Sequence, residues 1–165
     1  MSRTFLTLIL SLIGFCAPFT RHNAAKEPKW RQIILMRSTR ADVERLLGRS
    51  KNRGFLASYR VEDGTIDVDY YPFNFCTPAA DADLKVRRWT VVEITYVPNN
   101  PPKFAYLKLD LKKFRKVRES VHAPELVSYL NDENGVDYTF QADETLDSIR
   151  YFPGRHFDTL RCKTG

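Results

Sequence analysis

Residues 55–71 constrain this chain more than any other stretch. Phe55, Ala57, Tyr59 and Val61 alternate with more polar neighbours, and Ile66, Val68 and Tyr70 alternate with Asp67 and Asp69. Asp63-Gly64 stands between the two runs and suits the tight turn of a hairpin. A period of two on both sides of such a turn predicts an antiparallel hairpin with one apolar and one polar face. A lone hairpin is marginal in water, so further strands must extend and cover it. The chain supplies them. Trp89–Val97 (WTVVEITYV) is rich in β-branched and aromatic residues and is stopped by the Pro98–Pro102 run. Leu126–Asn131, an Asn134-Gly135 turn, Val136–Gln141 and Thr145–Phe152 predict a three-strand meander. Residues 72–86, with Pro72 and Pro78, read as a long connection. The aromatic residues Tyr59, Tyr70, Trp89, Tyr96 and Tyr138 read as interior.

One helix precedes the hairpin. Thr39 is suited to cap it, with Asp42 three residues on as a short-armed capping box. Val43, Leu46 and Leu47 fall on one helical face, and Gly48 suits the exit. Ile33, Ile34 and Leu35 precede the cap and are placed to pack onto that face. Farther on, Leu107, Leu109 and Leu111 fit a strand, whereas Leu107, Leu111 and Phe114 fit a helix, so both readings stand. The fold class expected is α+β: an antiparallel meander with one or two short helices packed on one face. The pattern also reads as a tandem duplication of one helical piece followed by three strands. A length of 165 residues suits one such domain, placed at residues 30–165.

The N-terminus reads differently. Arg3 precedes an apolar run from Phe5 to Phe19, the layout of a cleaved secretory signal within residues 1–25. The run is short of the roughly 20 residues that a membrane span needs, and Pro18 interrupts it. Cleavage after Ala17 and cleavage around Ala24-Ala25 both remain open. Phe15 stands before Cys16, where bacterial lipid attachment wants a small residue. Removal of the signal leaves Cys76 and Cys162, and in an oxidising compartment a lone pair reads as a disulfide. Closing so long a loop is worth about 4–5 kcal/mol in the chain-entropy picture. The localisation expected is periplasmic or extracellular, with no transmembrane span after cleavage.

Ser38–Gly48 (STRADVERLLG) resembles the helix signature of the SmpA/OmlA family, which includes the small lipoprotein of the outer-membrane β-barrel assembly machine. The similarity extends to the β-lactamase-inhibitor-protein fold, in which helices and a β-meander are duplicated in tandem. The chain also resembles exported bacterial proteins that share this helix, a cysteine after the first hairpin, and a Leu160-Arg161-Cys162 ending. The first two relatives act by binding proteins, so the resemblance implies a binding role. It carries no site residue over.

Motifs for chemistry are sparse. His22, His122 and His156 have no metal-ligand spacing, and no Gly-rich phosphate loop or calcium loop is present. No cofactor or metal is implied. Asp67 and Asp69 share a strand face, which reads first as solvated and second as a cation or acid–base pair. Charge distribution says more. The formal charge is +6, and Lys103–Arg118 alone holds seven basic residues against Asp110. Residues 119–165 are acidic, with nine carboxylates against four bases. Lys108, Lys112, Lys113, Arg115, Lys116 and Arg118, interleaved with Phe104, Tyr106 and Phe114, are the candidates for binding an anionic partner. Export argues against nucleic acid and for an envelope protein or an anionic envelope surface. The function expected is a non-catalytic, exported domain that acts by protein–protein or envelope contact. The alternative is a small secreted hydrolase or ligand-binding protein with a cleft using Asp67, Asp69, His122 or His156.

Overall fold

The hairpin forms as its alternation predicts. The computed structural model describes residues 28–73, 84–118 and 125–162. Among these, seven strands make one antiparallel sheet: β1 (Leu56–Val61), β2 (Gly64–Tyr70), β3 (Val91–Pro98), β4 (Arg115–Arg118), β5 (Val127–Asn131), β6 (Val136–Phe140) and β7 (Leu146–Tyr151). Their spatial order is β1-β2-β3-β7-β6-β5-β4. The last strands of two meanders therefore lie side by side and join them. The helices are α1 (Arg40–Leu47) and α2 (Phe104–Leu107), with 3-10 turns at Lys29–Gln32, Leu111–Lys113 and Arg155–Leu160. This is the α+β meander expected from the sequence. The signal segment, Cys16, His22, Cys76 and His122 lie outside the described residues.

Local chemistry explains α1. The Thr39 backbone N–H donates to the Asp42 carboxylate at 2.9 Å, and the Asp42 N–H donates back to the Thr39 hydroxyl at 3.4 Å. Those bonds hold the Asp42 carboxyl below its ordinary value, the Thr39 backbone N–H being the largest cause. Gly48 takes a φ of +89° at the exit. Val43 is fully buried, and Leu46 and Leu47 pack beside it against Ala57, Ile66, Val68 and Ile94 of the sheet. Ile33 and Leu35 point to this interior, while Ile34 stays exposed.

Arg40 locks the helix start to the sheet. Its guanidinium bonds Glu44 at 2.9 Å, the Gly54 carbonyl at 2.7 Å and the Asn52 carbonyl. It also lies over the Tyr70 and Trp89 rings, 5.5 and 5.3 Å from their centroids. Backbone bonds from Met36 N–H to Val91 and from Val91 N–H to Ser38, both 2.8 Å, tie the same segment to β3.

The second half differs in one respect from the expected three strands. Leu107–Phe114 resolves into helical pieces, and Arg115–Arg118 forms an extra edge strand, β4, paired with β5. Three of its four residues are cationic, so composition concealed it; pairing opposite Leu130, Tyr129, Ser128 and Val127 makes it a strand. Phe104 packs on Tyr129 and Phe140, with ring centroids 4.9 and 5.1 Å away, and Phe114 packs on Tyr138 at 5.8 Å. Cover is thinner here than over β1–β3, and Tyr138 is half-buried rather than interior.

Gly64 has a different role from the one its position after Asp63 suggested. It is the first residue of β2, opposite Pro98, and a Cβ there would stand 2.2 Å from the Val97 carbonyl oxygen. Close approach of β3, not a turn angle, demands the glycine. Gly64→Ala should therefore cost at least about 2 kcal/mol in urea unfolding. Gly54→Ala, which meets only the movable Asn52 side chain at 3.1 Å, should change stability by less than about 1 kcal/mol.

Candidate functional site

Three surfaces could carry function, and each is built by strand parity or by the segments that flank the sheet. The first is the polar sheet face opposite α1. Pairing registers align Ser58, Asp67, Thr95, Arg150 and Asp137 in one row, with Asp69 and Glu93 in the next. The Ser58 hydroxyl donates to Asp67. Asp137 is only 3% exposed; one carboxylate oxygen accepts from Arg150 Nη2 at 3.0 Å and the other has no hydrogen-bond partner among the described residues. Burial pushes the Asp69 carboxyl up, and its neighbour Asp67 adds to the rise. Burial likewise raises Glu93; Arg150 opposes the shift, and Asp69 and Asp137 reinforce it. The sequence placed Asp67 and Asp69 together. It did not show Glu93 and Asp137, which arrive from β3 and from the other meander.

The second surface is a cleft of about 320 Å³ between the chain entry, the end of α1 and the end of β1. Pro28, Trp30, Leu46, Leu47 and Val61 form its apolar walls, and Arg60 stands among the polar lining residues. Trp30 stacks on Tyr96 with centroids 4.9 Å apart, and its buried indole N–H has no acceptor among the described residues. On the core side, the Tyr59 and Tyr70 hydroxyls meet at 2.9 Å, and burial pushes both phenols above their ordinary value, Tyr70 by far the more. Tyr96 is pushed up to about 12 by burial and by donating its hydroxyl to the Asp63 carbonyl. These phenols are structural bonds, not available bases.

The third surface is the basic half. Its cations do not form one strip. Lys103 bonds Asp143 at 2.8 Å, Lys113 lies 3.6 Å from Asp110, and Arg115 lies 3.4 Å from Asp132. Lys116, on the opposite face of β4 from Arg115, lies over the Tyr129 ring at 5.7 Å. Arg118 pairs in register with Val127. Lys108 and Lys112 are exposed and have no ion pair among the described residues. The exposed residues Tyr106 and Leu111 lie in the same segment, a feature that composition alone did not single out.

His156 does not meet the carboxylates the sequence offered it. It is exposed in the last 3-10 turn, where its ring faces Phe157 at 4.0 Å and a nitrogen lies 3.4 Å from the Glu133 carbonyl. Among the described residues, no group of three or more His, Cys, Asp or Glu side chains is arranged to hold a metal ion, and no helix is long and apolar enough to cross a membrane. Comparison with protein-family models, with curated proteins and with solved structures gives no match.

The raised carboxyls make a pH prediction. Asp69 and Glu93 bind protons more tightly folded than unfolded, so their charged forms oppose folding above the folded pKa and cease to do so as pH falls through it. The double variant Asp69→Asn, Glu93→Gln should melt higher than wild type at about pH 7, and the gap should close toward about pH 4. Thermal melts across that range measure it; a gap independent of pH would remove the carboxylates as the cause.

Proposed function

We propose that this chain is an exported, non-catalytic binding domain that acts by contact with an anionic partner in the cell envelope. The carrying observation is the exposed pair Lys108 and Lys112, without an ion pair among the described residues, in a segment holding seven bases and one acid. Lys108 and Lys112 project from the short pieces between Phe104 and Phe114, whose aromatic anchors grip the sheet. Such a surface attracts polyanions over a Debye length and loses that attraction in salt. The protein-binding roles of the families that Ser38–Gly48 resembles favour the same reading.

The proposal includes a Cys76–Cys162 bridge. Lys85 N–H donates to the Leu160 carbonyl at 2.7 Å, and Leu84 bridges Arg161. The chain end therefore lies against the close of the connection that holds Cys76, which supports that pairing. Leu84, Val86, Phe157 and Leu160 form a small apolar cluster around the junction. Such a bridge belongs to an oxidising compartment.

Replacing Lys108, Lys112, Lys113 and Lys116 together by Ser should weaken binding to an immobilised polyanion at least roughly tenfold at low salt. Wild-type binding should itself fall steeply as salt rises. Equal, salt-insensitive retention of both proteins would sink the reading. Intact mass of the exported protein should show a shortened N-terminus and a deficit of two protons; two free thiols would remove the bridge.

A further inference from the structure

The basic surface is not only charged. Phe104 and Phe114 turn inward onto Tyr129, Phe140 and Tyr138, and the nine residues between them form a strap across the outer part of the sheet. Tyr106, two residues after Phe104, is 78% exposed, and Leu111, three residues before Phe114, is 48% exposed. Lys108 lies between them in the chain and Lys112 follows Leu111, both without ion pairs among the described residues, while Lys113 pairs with Asp110 at 3.6 Å.

This exposure is built in. Lys103 Nζ donates to the Asp143 backbone carbonyl at 2.7 Å and to its carboxylate at 2.8 Å. Phe104 N–H donates to the Glu144 carbonyl at 2.9 Å, and Leu146 N–H donates to the Pro102 carbonyl at 3.0 Å. Those bonds clamp the start of the strap to the β6–β7 turn. Lys108 then adopts a left-handed φ of +48°, which ends α2 and turns the chain toward Leu111. The far end continues into β4, held by β5. The aromatic ring and the leucine are thus displayed by a strap fixed at both ends.

Exposed aromatic and aliphatic side chains ringed by lysines fit the boundary of an anionic bilayer. The apolar groups leave water, the ammonium groups stay at the phosphate level, and a tyrosine ring suits the wet–apolar border. A soluble acidic partner would satisfy the lysines and leave Tyr106 and Leu111 without a reason to protrude. We propose that the Phe104–Phe114 strap docks on lipid surfaces rich in anionic headgroups, inserting Tyr106 and Leu111 while Lys108, Lys112 and Lys113 meet the phosphates. This rests on the proposed function above and names its partner as the membrane surface.

The test is co-sedimentation of the full exported chain with vesicles of phosphatidylglycerol mixed with phosphatidylcholine, and with vesicles of phosphatidylcholine alone. Wild type should bind the anionic vesicles and lose most of that binding in high salt. The variant Y106S/L111S should bind roughly tenfold more weakly, with an unchanged melting temperature because both side chains are already exposed. Tyr106→Trp should give a blue-shifted emission on anionic vesicles alone. Equal binding by Y106S/L111S with no spectral shift would overturn insertion and leave the electrostatic reading intact. No vesicle binding, with retention on a polyanion matrix, would overturn the membrane assignment and point to an acidic macromolecule. Binding to neither would overturn both readings.

Discussion

Three residue pairs hold the two halves of the sheet together: Ile94 with Tyr151, Thr95 with Arg150, and Tyr96 with Ile149. Each meander closes through local hairpins, but this seam joins strands more than fifty residues apart in the chain. Both faces depend on it. On the helix side, Trp30 stacks on Tyr96 and meets Tyr151 at 6.2 Å, so one indole covers residues from each half. Ile149 and Tyr151 thereby extend the apolar cluster built by β1, β2 and β3. On the other side, the seam sets Thr95 beside Arg150, which the β6–β7 pairing already holds opposite Asp137, so the polar row runs unbroken across both halves.

Local signals in the sequence were strong where neighbours in the chain are neighbours in space. The alternation of residues 55–71, the Thr39–Asp42 capping box and the β-branched run before Pro98 each name their element correctly, because the forces involved act over a few residues. What was hidden depends on distant partners. β4 is a strand because β5 stands beside it, despite a sequence of Arg, Lys, Val and Arg. Arg40 looks like an ordinary helix-surface residue. In place it bonds two loop carbonyls, lies over two aromatic rings and leaves only 14% of its side chain exposed. The Asp67–Asp69 pair was visible, while Glu93, whose carboxyl Asp69 and Asp137 help to push up, comes from a strand paired across the sheet. Charge counting located the basic segment but could not separate cations neutralised by Asp143 or Asp132 from those left free for a partner.

The two halves of the sheet differ in what covers them. Over β1–β3, α1 and the entry segment bury Val43, Ala57, Ile66 and Val68 almost completely. Over β5–β7 the cover is a four-residue helix and one 3-10 turn, which bury their two phenylalanines only in part. Stability is therefore concentrated in the first half, where apolar area leaves water most fully. The second half carries exposed cations and apolar side chains at less expense to the core, because its packing relies on two aromatic anchors instead of a continuous interior.

The seam also sets an order on chain growth. β3 is the most apolar of the strands, and one of its two edges is completed only by β7, near the C-terminal end of the chain. While residues 146–151 are still being synthesised or delivered, Val91–Pro98 presents an open row of backbone donors and acceptors beside a run of β-branched and aromatic side chains. Such an edge pairs readily with any extended neighbour, including a second nascent copy. A chain interrupted before β7 would leave that edge open, and the step that completes the sheet is also the step that closes it.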